Sequence, residues 1–101
     1  NSCFKNAPSS SNVINDLEKT IDLRFKEGNV SSYTYQLFKD GIKEIAKKVT
    51  EEAGEVSISA VTNDVTVINE AADLIYHLLV MLRKLNLRHS DVMQELKNRS
   101  N

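Results

Sequence analysis

Two tight groups of carboxylates stand out: Glu51, Glu52 and Glu55, then Glu70 and Asp73. Each holds an i,i+3 pair, Glu52–Glu55 and Glu70–Asp73, whose members lie about 60° apart on a helix. Carboxylates crowded into one groove cannot all stay ionised without a compensating cation. Hard divalent ions with oxygen ligands, Mg²⁺ above all, meet that need, and Mg²⁺ keeps positions for water and phosphate oxygens. The chemistry such a set can do is metal-assisted work on a polyphosphate. Acids at this spacing also occur on ordinary solvated faces, and Glu51 and Glu55 can pair with Lys47 or Lys48. Asp73 is harder to read that way, because it lies between Ala71-Ala72 and Leu74-Ile75, where an unpaired charge is costly. His77, one turn after Asp73, reads either as a satisfied core or interface histidine or as a ligand.

Other chemistries are excluded by what is missing. There is no CxxC or HExxH, and His77 and His89 are the sole histidines. A di-iron bundle would need ExxH on two helices. GxSxG, Walker and GxGxxG loops are absent, and Cys3 has no histidine near it in sequence.

The elements that must position these acids are helical. One Pro and three Gly supply too little turn chemistry for an all-β domain. Residues 1–12, with the one Pro and four of the serines, read as a flexible arm or linker, and 13–101 as one domain. Val13, Leu17, Ile21 and Phe25 recur every four residues, with Asn12 to cap and Gly28 to stop a first helix. Ser31 or Ser32 can cap a short second helix that Gly41 ends. A third spans Ile42 to about Ala60 on the stripe Ile42, Ala46, Val49, Ala53, Val56, Ala60. Glu52 borders that stripe and Glu51 points furthest from it. Gly54, costing roughly 1 kcal/mol relative to Ala, suggests a close approach. Asp64 can cap a fourth helix from Val65 to Leu85, and Ser90 a last one from Asp91 to Asn98. Joined by a short connection, the third and fourth helices should run antiparallel and bring their acids to one groove.

On the fourth helix, with Glu70 at 0°, Met81, Leu74, Leu78, Ala71, Leu82, Ile75, Leu79 and Ala72 cover roughly 20° to 200°. Covering so wide an apolar arc in so short a chain implies a partner subunit. The expected fold is therefore all-α, a bundle of four to five helices completed by dimerisation. A net charge of -1, aromatics at 6% and no Trp argue against nucleic acid as a partner. The apolar run Leu74 to Leu82 is too short for a bilayer span. A single Cys points to an intracellular, cytoplasmic setting.

The stretch Ser32-Tyr33-Thr34…Lys47-Lys48-Val49…Glu51-Glu52-Ala53…Glu55, followed by Glu70-Ala71-Ala72-Asp73-Leu74…Tyr76-His77, resembles the phosphoribosyl-ATP pyrophosphatases. These are the histidine-biosynthesis branch of the all-α, MazG-like nucleotide pyrophosphohydrolases. The similarity covers roughly Leu17 to Arg99. It implies hydrolysis of phosphoribosyl-ATP to phosphoribosyl-AMP and pyrophosphate, with Mg²⁺, in a homodimer or a higher assembly. Carried over by motif, Glu52, Glu55, Glu70 and Asp73 would bind Mg²⁺, with Glu51 as a further ligand or water-orienting base. Lys48 would meet phosphate oxygens. Arg24, Tyr33, Thr34, His77 and Arg99 match family positions, as substrate contacts or as supports of the groove. Ser2-Cys3-Phe4 looks like the end signature of phosphoribosyl-AMP cyclohydrolase, a domain often fused upstream. Two rival readings remain: a house-cleaning (d)NTP pyrophosphohydrolase of the same superfamily, and a non-catalytic helical dimerisation module.

Overall fold

A computed structural model describes residues 10–100 of the chain. Residues 1–9, which carry the Ser2-Cys3-Phe4 motif and most of the expected arm, and residue 101 lie outside the described residues. Five helices follow in order: α1 Ser10–Glu27, α2 Tyr33–Asp40, α3 Ile42–Val61, α4 Val67–Lys84 and α5 His89–Arg99. Among the described residues there is no strand, as an all-α chain requires, and no helix is long and apolar enough to cross a membrane.

The turns follow from local chemistry. Ser32 Oγ accepts the Tyr35 N–H at 3.2 Å and caps α2. Gly41, at φ 96°, is the single residue between α2 and α3. Its N–H donates to the Leu37 carbonyl and its own carbonyl accepts from Ile45, both at 3.2 Å. Few side chains tolerate that backbone. Gly54, in contrast, has nothing within 4 Å of a built Cβ, so the close approach expected there does not occur among the described residues.

Three boundaries differ from the sequence reading. α1 begins at Ser10, so Asn12 lies inside the helix, and Ile14 packs on the core while Val13 stays half-exposed. α4 begins at Val67 because Asp64 is used earlier: its carboxylate accepts the Thr66 N–H at 3.0 Å. Thr66 in turn spends its hydroxyl on Ser59 Oγ, 3.1 Å away, fastening the α3–α4 turn. α5 begins at His89, since the Asp91 carboxylate reaches back to the Arg88 N–H at 2.9 Å.

The core is small: Ile21, Leu37, Ile45, Leu79 and Val80, with Leu17, Phe25, Tyr76 and Met81 packed around it. Val80 lies outside the apolar arc expected on α4, and much of that arc, including Ile75 and Leu78, remains exposed. The chain folds against the flank of α4 that carries Tyr76, His77 and Val80, with Leu79 buried at the edge of the arc.

Glu18, unremarked in the sequence, is buried to 1% exposure on α1. Its Oε2 accepts the His89 N–H at 2.6 Å, and Arg88 Nη2 lies 3.5 Å from Oε1. The His89 ring Nδ1 is 2.9 Å from Oε2 but lacks the alignment of a hydrogen bond. Burial raises the carboxyl's pKa, yet the His89 contacts and Arg88 outweigh it and hold it below 4.5. One carboxylate thus ties the start of α5 to α1. Glu18→Ala is expected to lower urea-measured stability by about 1–3 kcal/mol, because the His89 N–H loses its acceptor. A depressed folded pKa gives stability that is present above the ordinary carboxylate value and lost as pH falls through the folded one. The gap between wild type and variant should therefore narrow below pH 4.5; a gap that widens there would contradict this role.

Candidate metal and phosphate site

The buried stripe of α3 runs Ile45, Val49, Glu52, Val56, Ser59, with Ile45 and Ser59 buried and the three between them half-buried. It shares Val49 and Val56 with the expected stripe, whose Ala53 is also half-buried, but turns Ile42, Ala46 and Ala60 outward. Ile45 buries more apolar surface than Ala46 could, and Ser59 is drawn in by its bond to Thr66. The rotation matters for chemistry. Glu52 sits within the buried stripe, not on its shoulder.

Ser59 meets Thr66 across the turn, and Glu55 meets Glu70 further along, so α3 and α4 run antiparallel. Glu52 and Glu55 of α3 and Glu70 of α4 each offer a carboxylate oxygen within 4.8 Å of the others. Glu52 Oε1 is buried with no hydrogen-bond partner. Glu70 occupies the first turn of α4, where the helix dipole favours a negative charge. Even so its pKa is raised, by burial first, then by Glu55, Asp73 and Glu52. Like charges are being held together, and one oxygen among them has no donor. All the donors are hard oxygens. A divalent, oxygen-seeking cation fits both the charge and the unpartnered atom.

Asp73 stands one turn beyond Glu70, exposed and outside this trio, although its charge acts on Glu70. Glu51 is exposed and lies 3.5 Å from Lys48 Nζ. The start of α2 is stitched to α4 beside this groove. The Tyr33 hydroxyl is 2.8 Å from His77 Nε2, and Thr34 Oγ1 bonds the Tyr76 hydroxyl. His77 Nδ1 lies 2.8 Å from the Asp73 carbonyl, so both ring nitrogens of this buried histidine are engaged. Burial first, then Tyr76, Glu52 and Glu51, raise the Tyr33 pKa against the opposing effect of the Lys48 charge. Lys48 and Tyr33 therefore lie within electrostatic reach of Glu51 and Glu52, and His77 is tied to Tyr33, while Thr34 is joined to Tyr76. Arg24 pairs with Glu27 at 3.4 Å, while its charge reaches Tyr76. Arg99 is exposed near the end of α5 and paired with Glu95 at 3.0 Å, apart from these interactions. Tyr76 was quoted in the sequence motif without a role; nothing in a lone tyrosine signals that its hydroxyl will meet Thr34.

Glu70's raised pKa means that metal-free stability falls as pH rises through the folded value, since the ionised form is the disfavoured one. Without divalent ions at neutral pH, Glu70→Gln is expected to melt above wild type. With Mg²⁺ or Mn²⁺ the order should reverse, as cation binding stabilises the wild-type fold by mass action. Thermal melts with EDTA and with divalent ion check both halves; a variant that melts lower in EDTA would contradict the crowding.

Residues 14–100 match the family model described as phosphoribosyl-ATP pyrophosphohydrolase. The phosphoribosyl-ATP pyrophosphatase of Pyrobaculum aerophilum is 46% identical over 91 residues, covering 89% of this chain and 97% of that protein. The protein of the same name from Listeria monocytogenes is 46% identical over 87 residues, 86% of this chain and 84% of its own. The histidine biosynthesis bifunctional protein HisIE of Buchnera aphidicola is 45% identical over 101 residues, 99% of this chain. The chain spans about half the length of that bifunctional relative, 49%. Sequence match and acidic groove agree: the chain belongs to the phosphoribosyl-ATP pyrophosphohydrolase family.

Proposed function

We propose that this chain hydrolyses phosphoribosyl-ATP to phosphoribosyl-AMP and pyrophosphate, using Mg²⁺, as a step of histidine biosynthesis in the cytoplasm. The observation that carries the reading is the unpartnered Glu52 Oε1 within the Glu52–Glu55–Glu70 trio, in a chain of this family. Glu52, Glu55 and Glu70 are the residues that would hold Mg²⁺, with Asp73 joining from the next turn of α4. When bound, Mg²⁺ would neutralise triphosphate charge and stabilise the leaving pyrophosphate.

The chain's own groups do the rest. Lys48 receives a phosphate oxygen at the mouth of the groove. Glu51, exposed beside it, serves as a further ligand or orients the attacking water. Water attacks the phosphorus at the α–β linkage, the bond to pyrophosphate breaks, and the water's proton passes to a carboxylate. Thr34, tied to Tyr76, and Tyr33, tied to His77, frame the substrate side. Arg24 and Arg99 are the remaining cations proposed for substrate.

A second copy is proposed to cover what one chain leaves open. Ile58, Val61, Val65 and Ile68 cluster around the α3–α4 turn, and Val65 is 92% exposed. Apolar side chains grouped in this way mark an interface. Two bifunctional relatives, from Buchnera aphidicola and Blochmanniella floridana, match 99% of this chain with about half their length. They support a setting beside a second catalytic domain, the cyclohydrolase suggested by Ser2-Cys3-Phe4.

Pyrophosphate release should be fast from phosphoribosyl-ATP and slow from a panel of dNTPs, and should vanish in EDTA. Preference for dNTPs would turn the reading to the house-cleaning enzymes. Glu52→Gln and Asp73→Asn are each expected to lower kcat by at least about 100-fold with the helical circular dichroism unchanged. Val65→Asp should shift sedimentation toward a monomer; an unchanged dimer would remove the α3–α4 turn from the interface.

A further inference from the structure

Tyr33, Tyr76 and His77 form an aromatic cluster where the start of α2 meets the middle of α4. The Tyr33 and Tyr76 rings stack at 6.4 Å, and His77 stands edge-on to both, at 5.8 and 5.0 Å. A carbonyl oxygen can only accept, so His77 Nδ1, 2.8 Å from the Asp73 carbonyl, carries a proton. His77 is buried, and among the described residues no carboxylate hydrogen-bonds its ring. In the neutral ring Nε2 is then an acceptor, and the Tyr33 hydroxyl, 2.8 Å away, donates to it. The one phenolic proton is used inside the fold. Half of Tyr33 stays exposed, and whatever its oxygen bonds next must be a donor.

Helix geometry sets how far this oxygen stands from the acid trio. Glu70 and His77 are seven residues apart on α4, which puts them on one face and about 10 Å apart along the axis. The meetings of Ser59 with Thr66 and of Glu55 with Glu70 fix the α3–α4 register, and continued along the helices it brings Lys48 level with His77. Tyr33, bonded to His77, therefore stands about two turns along the groove from Glu52, Glu55 and Glu70. A nucleotide whose phosphates lie at the trio carries its sugar and base across that span. We propose that Tyr33 is a specificity-determining residue, whose oxygen accepts a hydrogen bond from a donor on the nucleoside part of the substrate. The shared chemistry is an O–H or N–H group, supplied by a ribose hydroxyl or by the base amino group. His77, by taking the phenolic proton, keeps Tyr33 an acceptor and turns away groups that offer lone pairs alone. This rests on the hydrolase reading for the phosphate end and adds what selects the nucleoside.

The test is calorimetric binding to the full chain with Mg²⁺. The probes are α,β-methylene-ATP, its analogues lacking the 2′-hydroxyl, the 3′-hydroxyl or the 6-amino group, and inorganic tripolyphosphate. Tyr33→Phe keeps the ring and removes the oxygen. It should weaken α,β-methylene-ATP about fivefold to tenfold, the size of one neutral hydrogen bond, and leave tripolyphosphate within about twofold. One of the three deletions should cost wild type the same factor and Tyr33→Phe nothing, and that deletion identifies the donor. Nitrogen-resolved NMR should find the His77 proton on Nδ1. A silent Tyr33→Phe, equal losses for tripolyphosphate and nucleotide, or deletions that cost both proteins alike would each overturn the proposal. So would a His77 proton on Nε2, or a wild type that does not bind α,β-methylene-ATP. If Tyr33→Phe does not fold, the Tyr33 Cζ signal of wild type decides: it should shift with α,β-methylene-ATP and stay in place with tripolyphosphate. A wild type that binds in this pattern but does not cleave phosphoribosyl-ATP would instead defeat the hydrolase reading and leave the nucleoside contact standing.

Discussion

Three carboxylates with oxygens within 4.8 Å of one another repel, and in this fold apolar packing elsewhere on the same two helices holds them together. Ile45 on α3 and Leu79 and Val80 on α4 belong to one buried cluster, so the helices cannot separate to relieve the acids without exposing that core. At the other end the bond between Ser59 and Thr66 pins the turn. The acids lie between two fixed points. Glu70 records the resulting stress as a raised pKa, and Glu52 records it as an oxygen with no donor. The fold therefore holds a group of like charges that a cation bound there would relieve.

Around this groove the two sequence segments that mark the family branch turn out to be each other's partners. Tyr33 and Thr34 at the start of α2 bond His77 and Tyr76 on α4. Ser32 sets the helix start that aims both side chains, and Gly41 lets α3 leave immediately afterwards, carrying Lys48 back past them. Segments separated by more than forty residues thus act as one wall. Between α1 and α5 Glu18 does a similar service, tying down a helix otherwise lightly packed against its neighbours. Both ties use a buried polar group with its partners supplied, which is how a core this small gains specificity.

Spacing alone revealed the paired acids, the helical class and the short links, because i,i+3 pairs and four-residue apolar steps are local properties. It did not reveal which of two overlapping stripes on α3 would be buried. Ile42-Ala46-Ala60 and Ile45-Glu52-Ser59 share Val49 and Val56, and the choice depends on what α4 and the turn offer Ile45 and Ser59. That choice puts Glu52 inside. Likewise the apolar arc of α4 was visible, but this chain buries only Leu79 of it fully, together with Val80 and His77 on the other side. Glu18 was illegible for a related reason: its partners are the backbone of His89 and the side chain of Arg88, some seventy residues away. Asp73, grouped with Glu70 by spacing, stands outside the convergent trio, although its charge acts on Glu70.

The most direct measurement is paramagnetic broadening of backbone amide signals by substoichiometric Mn²⁺, with Mg²⁺ as the competitor. Convergence of the acids predicts broadening centred on Glu52, Glu55 and Glu70, fading along both helices and reversed by Mg²⁺. Broadening scattered over other acids, such as Glu27 and Asp40, or none at all, would contradict it.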